Sequence, residues 1–306
     1  MVTQEKIRSE NLTWINIENP HLETLEALQQ QFGFHDLDLE DCLSRTESPK
    51  IEEYPNYVFI VFHFPLKKVK DNHIVVEPLN VFLGNNFFIT VSNGRLKRLE
   101  EFFETMKKKL RQKRSVFQKG SGFLLYTLIN ELFEIYDPHI NHLSRSIREI
   151  EEDIFEGKVQ KDRLYDIMTV KREIITLKRA LLPHSSLLLS LEHLHKRFID
   201  KKLELYFNDI GDKIARNQIN LNSMDEIIDT LQSANESLTS HNTNRVMKIL
   251  TIFSVTMLPL TFLTGLYGMN VVLPLANKEN TFIVLSTVMI IILILTLGLF
   301  RMKRFL

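Results

Sequence analysis

Two long stretches without a single charged side chain, Ile249 to Asn277 and Thr281 to Phe300, constrain this chain more than any other feature. A bilayer core about 30 Å thick needs roughly 20 apolar residues of helix, and each stretch supplies them. The segment between them, Val271 to Asn280, is too short for a domain, so a membrane hairpin is expected. Its first span covers about 247–269, an outer loop 270–280 and the second span about 281–300. Arg245 and Lys248 precede the first span, and Arg301, Lys303 and Arg304 follow the second, whereas the loop holds only Lys278 and Glu279. By the positive-inside rule both flanks face the cytoplasm. The expectation is a multi-pass protein of a cell (inner) membrane, with both termini cytoplasmic and lipid as a partner.

The rest of the chain reads as water-soluble. Its 306 residues carry 38 basic and 38 acidic side chains, nearly all before residue 240 or so, and that balance gives no reason to expect a nucleic-acid partner. Met1 to Asn11 is polar, so no secretory signal is expected. The lone cysteine, Cys42, excludes an intramolecular disulfide framework and fits a reducing compartment; a small buried hydrophobe is favoured over a reactive thiol.

Residues 1–120 read as a cytoplasmic α/β domain, 121–244 as a helical and stalk region, and 245–306 as the hairpin with a basic tail. The fold class is thus an α+β cytoplasmic domain, a long stalk helix and a two-helix membrane hairpin. Strands are expected at Leu12–Ile17, Tyr57–Phe64, Ile74–Val76, Leu79–Leu83 and Phe87–Val91, with a helix from Pro20 through Phe32 and Pro65 and Pro78 at strand edges. Helical periodicity then runs through 95–114, 122–155, 160–181 and 185–200, with Gly157 and Pro183 as the expected breaks. From about Leu203 one very long helix is expected to run into the membrane, with Gly211 and Pro259 inside it.

One face of that helix is composed differently from the rest. Steps of three and four residues collect Asn244, Met247, Thr251, Ser254, Leu258, Thr261, Gly265 and Gly268, a mostly small or hydroxyl-bearing seam. Small residues on a membrane helix mark either tight helix packing or a pore wall, and the seam alone favours packing. The second span is apolar nearly all round, as a lipid-facing helix is. Two helices cannot enclose a watered path, so a pore requires several copies.

The first span closes on Tyr267-Gly268-Met269-Asn270. This resembles the CorA family of magnesium transporters, whose signature is Gly-Met-Asn at the outer end of the first of two C-terminal spans. The resemblance extends over the whole chain and tips the seam toward a pore wall. It implies a homopentameric funnel that passes Mg²⁺, with Co²⁺ and Ni²⁺ as further substrates. It implies a selectivity filter of Gly268, Met269 and Asn270, and a hydrophobic gate at Met247 and Leu250. Leu258 stands where relatives often carry methionine. The acidic Met-Pro-Glu-Leu segment of many relatives is replaced by Val272-Leu273-Pro274-Leu275, leaving Glu279 as the loop's one acid. Neutral oxygens suit Mg²⁺, which sheds its waters reluctantly and must not be held too tightly to leave.

The resemblance further implies regulation by intracellular Mg²⁺, with Asp209 at the position of a stalk aspartate and Asp212 three residues on. Solvated stalk acids are the competing reading, and Pro65-Leu66-Lys67-Lys68 stands where a partner acid is expected. The acidic run Glu149, Glu151, Glu152, Asp153, Glu156 reads as a cation-concentrating surface or as a solvated helix face. The basic run Lys107 to Arg114 shares its helix with Glu100, Glu101 and Glu104, which favours a charged surface. His193 and His195 point apart on a helix, and His139 and His142 lack a cysteine partner, so no preformed zinc site is expected. No glycine-rich phosphate loop or nucleophile motif is present, which argues against nucleotide use and against an enzyme. Two alternatives stay open: a Zn²⁺ transporter of the same superfamily, and a membrane-anchored helical scaffold without transport.

Overall fold

The computed structural model describes residues 3–44, 48–67, 74–156, 163–193, 198–269, 271 and 280–302, without the side chains of residues 67, 192, 193 and 281. Its first part is built on strands β1 (Thr3–Ser9), β2 (Leu12–Glu18), β3 (Lys50–Glu53), β4 (Tyr57–Lys67), β5 (Ile74–Gly84) and β6 (Phe87–Ser92). Helices α1 (Leu22–Phe32) and α2 (Asp36–Leu43) lie between β2 and β3 in sequence. The six strands form one sheet in the order β1-β2-β6-β5-β4-β3, antiparallel throughout except for the β2–β6 pair.

Alternation along the strands sends side chains to two covered faces. Ile15, Ile17, Phe59, Val61, Phe82, Ile89 and Val91 join Leu25, Leu28 and Phe34 in one core. On the other face Trp14 packs edge-on against Phe88 and Phe103, and Phe64 against Phe133. Every residue of β6 is buried, as a central strand covered on both sides must be. Gly33 ends α1 in the left-handed region at φ 72°, where its N–H caps the carbonyl of Gln29.

The second face also carries a buried polar relay. The Trp14 indole N–H donates to Thr90 Oγ1 (3.0 Å), whose hydroxyl donates to Asn16 Oδ1 (2.7 Å). Thr90→Val strands both partners in a dry interior and is expected to cost about 2–3 kcal/mol. Urea unfolding followed by the fluorescence of Trp14, the chain's single tryptophan, measures it.

Downstream lie α3 (Lys97–Lys108), α4 (Leu110–Phe117), α5 (Ser121–Phe133), α6 (Tyr136–Phe155), α7 (Arg163–His193), a 3-10 turn at Lys201–Leu203, α8 (Glu204–Tyr267) and α9 (Thr281–Met302). The chain divides into two compact units, residues 1–232 and 233–306, with the boundary inside α8.

Several sequence expectations change. β1, α2 and β3 were not anticipated: each is short, and β1 and β3 are edge strands whose partners lie elsewhere in the sheet. Ile74–Val76 and Leu79–Leu83 are one strand, with Pro78 in its interior. Both prolines sit where the β4–β5 ribbon outruns its neighbours, since β3 pairs with β4 only at Val58–Val61 and β6 with β5 only at Leu79–Leu83. An absent amide costs little on those open outer edges. Pro183 lies inside α7 rather than breaking it. Burial of Leu181, His184, Leu187 and Leu188 along that stretch holds the helix together. The expected helix 95–114 is interrupted at Lys109, and 122–155 at Glu134-Ile135. Phe198–Asp200 are not helical. Gly157, Lys68 and His195 lie outside the described residues.

Candidate functional site

The C-terminal part of α8 is a helix whose polar groups are consumed internally. Thr251 Oγ1 donates to the carbonyl of Met247 (2.8 Å), Thr256 to Ile252 (2.7 Å), Thr261 to Met257 (3.0 Å) and Thr264 to Thr261 (3.0 Å). A hydroxyl in hydrocarbon needs such a partner, and i−4 back-bonding leaves the oxygen lone pairs outward. The helix runs through Pro259 and stops at Tyr267. There Gly268 N–H reaches the carbonyl of Thr264 (2.9 Å) and Met269 N–H that of Leu266 (3.3 Å).

Exposure leaves one sheltered line on this helix and opens the rest of it, the seam included. Asn244, Met247, Leu250, Thr251, Ser254, Leu258, Thr261, Gly265, Gly268 and Met269 are all exposed; Leu258 is 69% accessible. Ile252, Thr256, Pro259, Leu263 and Leu266 form the sheltered line at three- and four-residue intervals. On α9 the less exposed residues Leu285, Met289, Ile292, Thr296 and Phe300 recur in the same way, with Ser286 beside them, and the other described side chains of the helix are open. A Cβ added to Gly265 meets nothing within the chain. Glycine in a helix costs about 1 kcal/mol relative to alanine, and packing within this protomer does not require it there. Asn270, Val272 to Leu275, Lys278, Glu279, Lys303 and Arg304 lie outside the described residues.

In the first unit, Asp209 and Asp212 sit exposed on α8. Lys213, one turn after Asp209, places its Nζ 3.9 Å from Asp209 and 3.8 Å from Glu134, and donates to Asn130 Oδ1 at 2.7 Å. Sequence spacing alone gave no sign of Glu134 and Asn130 at this position. Asp209 also helps push the Tyr126 hydroxyl up, after burial as the main cause.

A carboxylate group that sequence reading missed is Asp38, Asp41 and Glu52, whose oxygens lie within 4.8 Å of one another. Lys50 already stands among them, 2.7 Å from Asp41 and 2.8 Å from Glu52. The hydroxyls of Tyr54 (3.1 Å) and Tyr57 (2.7 Å) donate to Asp38. Burial raises Asp38 to about 6 against those two hydrogen bonds. With an ammonium supplying the countercharge, the group fastens α2 to the sheet. Cys42 beside it is buried, and burial pushes its thiol well up, as an inert core cysteine requires.

Among the described residues no histidine belongs to a group of three or more potential metal ligands. His184 is buried, stacks on Phe62, and accepts the backbone N–H of His63 at Nε2 (3.3 Å). His142 lies on α6.

Two apolar helices at the C-terminal end, with mean hydropathies of 1.9 and 2.9 over their most apolar windows and almost nothing in them buried, define a two-span membrane protein carrying a sheet-based α/β part. The family model described as CorA-like Mg2+ transporter protein matches residues 9–304. The chain belongs to that family, which consists of ion transporters and not enzymes. It is 28% identical over 297 residues to the cobalt/magnesium transport protein CorA of Thermotoga maritima, covering 96% of this chain and 83% of that one. It is 26% identical to the protein of the same name from Methanocaldococcus jannaschii, covering 95% and 90%. The complete structure of the CorA magnesium transporter from Methanocaldococcus jannaschii superposes with a TM-score of 0.82 at 24% identity, covering 97% of this chain and 93% of that one. That likeness fixes the fold.

Proposed function

We propose that copies of this chain form a passive divalent-cation channel that carries Mg²⁺, with Co²⁺ and Ni²⁺ as further substrates, into the cytoplasm. The observation that carries this reading is the exposed, charge-free line of α8 that ends in Gly268-Met269-Asn270, on a chain of a Mg²⁺-transporter family. The names of its relatives, cobalt/magnesium transport proteins, support the choice of ions. The pore is assigned to a homopentamer on the family pattern, with Arg245, Lys248 and Arg301 on the cytoplasmic side.

In that ring Asn270 amides and Gly268 carbonyls face the outer mouth. The C-terminal end of α8 contributes about half a negative charge per copy, which attracts a cation without a carboxylate that would retain it. Thr251 and Thr261 spend their protons on their own helix, so their oxygens accept from the water molecules around Mg²⁺. Met247 and Leu250 narrow the cytoplasmic end to an apolar gate. A membrane potential supplies about 2.3 kcal/mol per charge per 100 mV, so a divalent ion needs no nucleotide to enter.

Inhibition by intracellular Mg²⁺ is assigned to Asp209 and Asp212. Lys213 competes there, since a cation bound at Asp209 must displace its ammonium. Lys213→Ala is therefore expected to lower the Mg²⁺ concentration for half-inhibition by about 3–10-fold, the loss of one exposed ion pair of about 1 kcal/mol. An unchanged inhibition curve removes Asp209 from the sensor.

Flux into proteoliposomes loaded with a Mg²⁺ indicator tests the whole reading. Mg²⁺ entry that is blocked by cobalt hexaammine, a mimic of hydrated Mg²⁺, is the expected result. Zn²⁺ entry in its place assigns the chain to zinc transport, and no flux of either ion sinks the channel.

A further inference from the structure

Strand β6 ends at Ser92 and α3 begins at Lys97, and Asn93-Gly94-Arg95-Leu96 turns the chain between them outside any helix or strand. Asn93-Gly94 is the one Asn-Gly pair in the sequence. The fold itself demands the glycine. Its φ is 63°, in the left-handed region, and a Cβ added to it lies 2.8 Å from Asn19 Nδ2. Packing of the turn beside the end of β2 therefore places after Asn93 the one residue that leaves its own main-chain nitrogen unshielded.

That nitrogen is also weakly held. Gly94 is exposed, and its N–H donates to Ser92 Oγ at a long 3.4 Å. Asn93 is half-buried, and among the described residues no hydrogen bond fixes its side-chain amide. Other asparagines are placed differently. Asn16 accepts from Thr90 inside the sheet, and Asn80 is buried in β5. Asn208, Asn217 and Asn222 lie within α8, where the following N–H is tied into the helix. A nitrogen engaged in a ladder or a helix is not free to turn on the side chain before it.

We infer that Asn93 is a site of spontaneous covalent modification, in which its side-chain amide is exchanged for a carboxylate with water as the co-reactant. The Gly94 N–H gives its proton to hydroxide, and the nitrogen attacks Cγ of Asn93. The Cγ–Nδ2 bond breaks, and Nδ2 leaves as ammonia with a proton from water. Water then opens the five-membered imide at either carbonyl, giving an aspartyl or an isoaspartyl residue. No oxidant or reductant is needed, and the closeness of nucleophile and carbonyl in one dipeptide supplies the rate. Opening at the main-chain carbonyl adds a methylene to the backbone, next to the bond from the Asn19 N–H to the Ser92 carbonyl (2.8 Å). Both products add a negative charge to a turn where Glu18 Oε2 lies 3.5 Å from the Cβ position of Gly94. Burial, and then the charge of Glu100, already push that Glu18 carboxyl up. The inference does not rest on the transport reading.

The test incubates the full-length protein in detergent for several days in ¹⁸O-labelled water, at pH 6 and at pH 9. Digestion in ordinary water and tandem mass spectrometry follow, so that label at residue 93 marks reaction in the intact chain. Labelled aspartyl and isoaspartyl peptides, told apart by electron-transfer fragmentation and formed faster at pH 9, are the expected result. Asn93→Gln keeps the amide but needs a six-membered ring, and its conversion is expected to be at least about tenfold slower. Equal conversion in that variant, with far-UV circular dichroism showing it folded, overturns the site. Should it not fold, the native chain decides alone. Labelled isoaspartyl at residue 93 supports the inference, whereas an amide that survives at pH 9, or an aspartyl product without its isomer, refutes it.

Discussion

Replacing Asn270 with leucine is expected to reduce Mg²⁺ flux at least about 100-fold while leaving the assembled protein intact. In the proposed pentamer five amides would ring one mouth, and at about 1 kcal/mol each to the water shell of the ion they together exceed the roughly 2.8 kcal/mol that a hundredfold change requires. Leucine has the same number of side-chain heavy atoms as asparagine, in bulkier methyl groups, and offers no oxygen to the water shell of the ion. Asn270→Asp is expected to act the other way on binding: a ring of carboxylates holds the cation and slows its exit. Gel filtration of each variant separates conduction from assembly. Native flux through the leucine variant removes Asn270 from the filter.

The second large effect concerns acid. Burial, reinforced by the nearby charge of His63, lowers His184 from 6.5 to about 3. Between those values the unfolded chain binds a proton that the folded chain refuses, so stability falls as pH drops from 6.5 toward 3. The full contribution is up to about 5 kcal/mol, of which about 3 kcal/mol is gone by pH 4.5. Asp38 opposes it. Its folded value of about 6 lies above 3.8, so the folded state holds the proton longer, and stability rises as pH falls through that window. The native chain therefore shows a muted acid response, and His184→Leu isolates one side of it. At pH 7 this variant loses the acceptor for the His63 N–H, about 1 kcal/mol; at pH 4.5 it is expected to be more stable than the native chain by about 2 kcal/mol. Urea midpoints from Trp14 fluorescence at both pH values measure the crossover, and parallel curves sink the assignment.

How far each feature could be read in advance depended on the range of the interactions that create it. The β2, β4 and β6 segments were legible because aromatic and β-branched residues recur in short uninterrupted runs. β1 was not, since Thr3–Ser9 is polar except for Ile7 and becomes a strand only by lying along Leu12–Glu18. Pro183 reads locally as a breaker, yet the residues around it are clamped between sheet and helices. The acids Asp209 and Asp212 were visible, but their local electrostatics were not, because Lys213 is shared with Asn130 of α5 and with Glu134 just past its end.

Sequence by itself determined the membrane spans, the polar seam of α8 and the Gly-Met-Asn terminus. These are local properties: charge-free length and residue spacing on one helix need no partner to be recognised. Only the tertiary structure decided the sheet order, the burial of His184 and Thr90, and the gathering of Asp38, Asp41 and Glu52 around Lys50. Desolvation and pairing depend on what the fold brings alongside a residue, and neighbours in the chain do not record that.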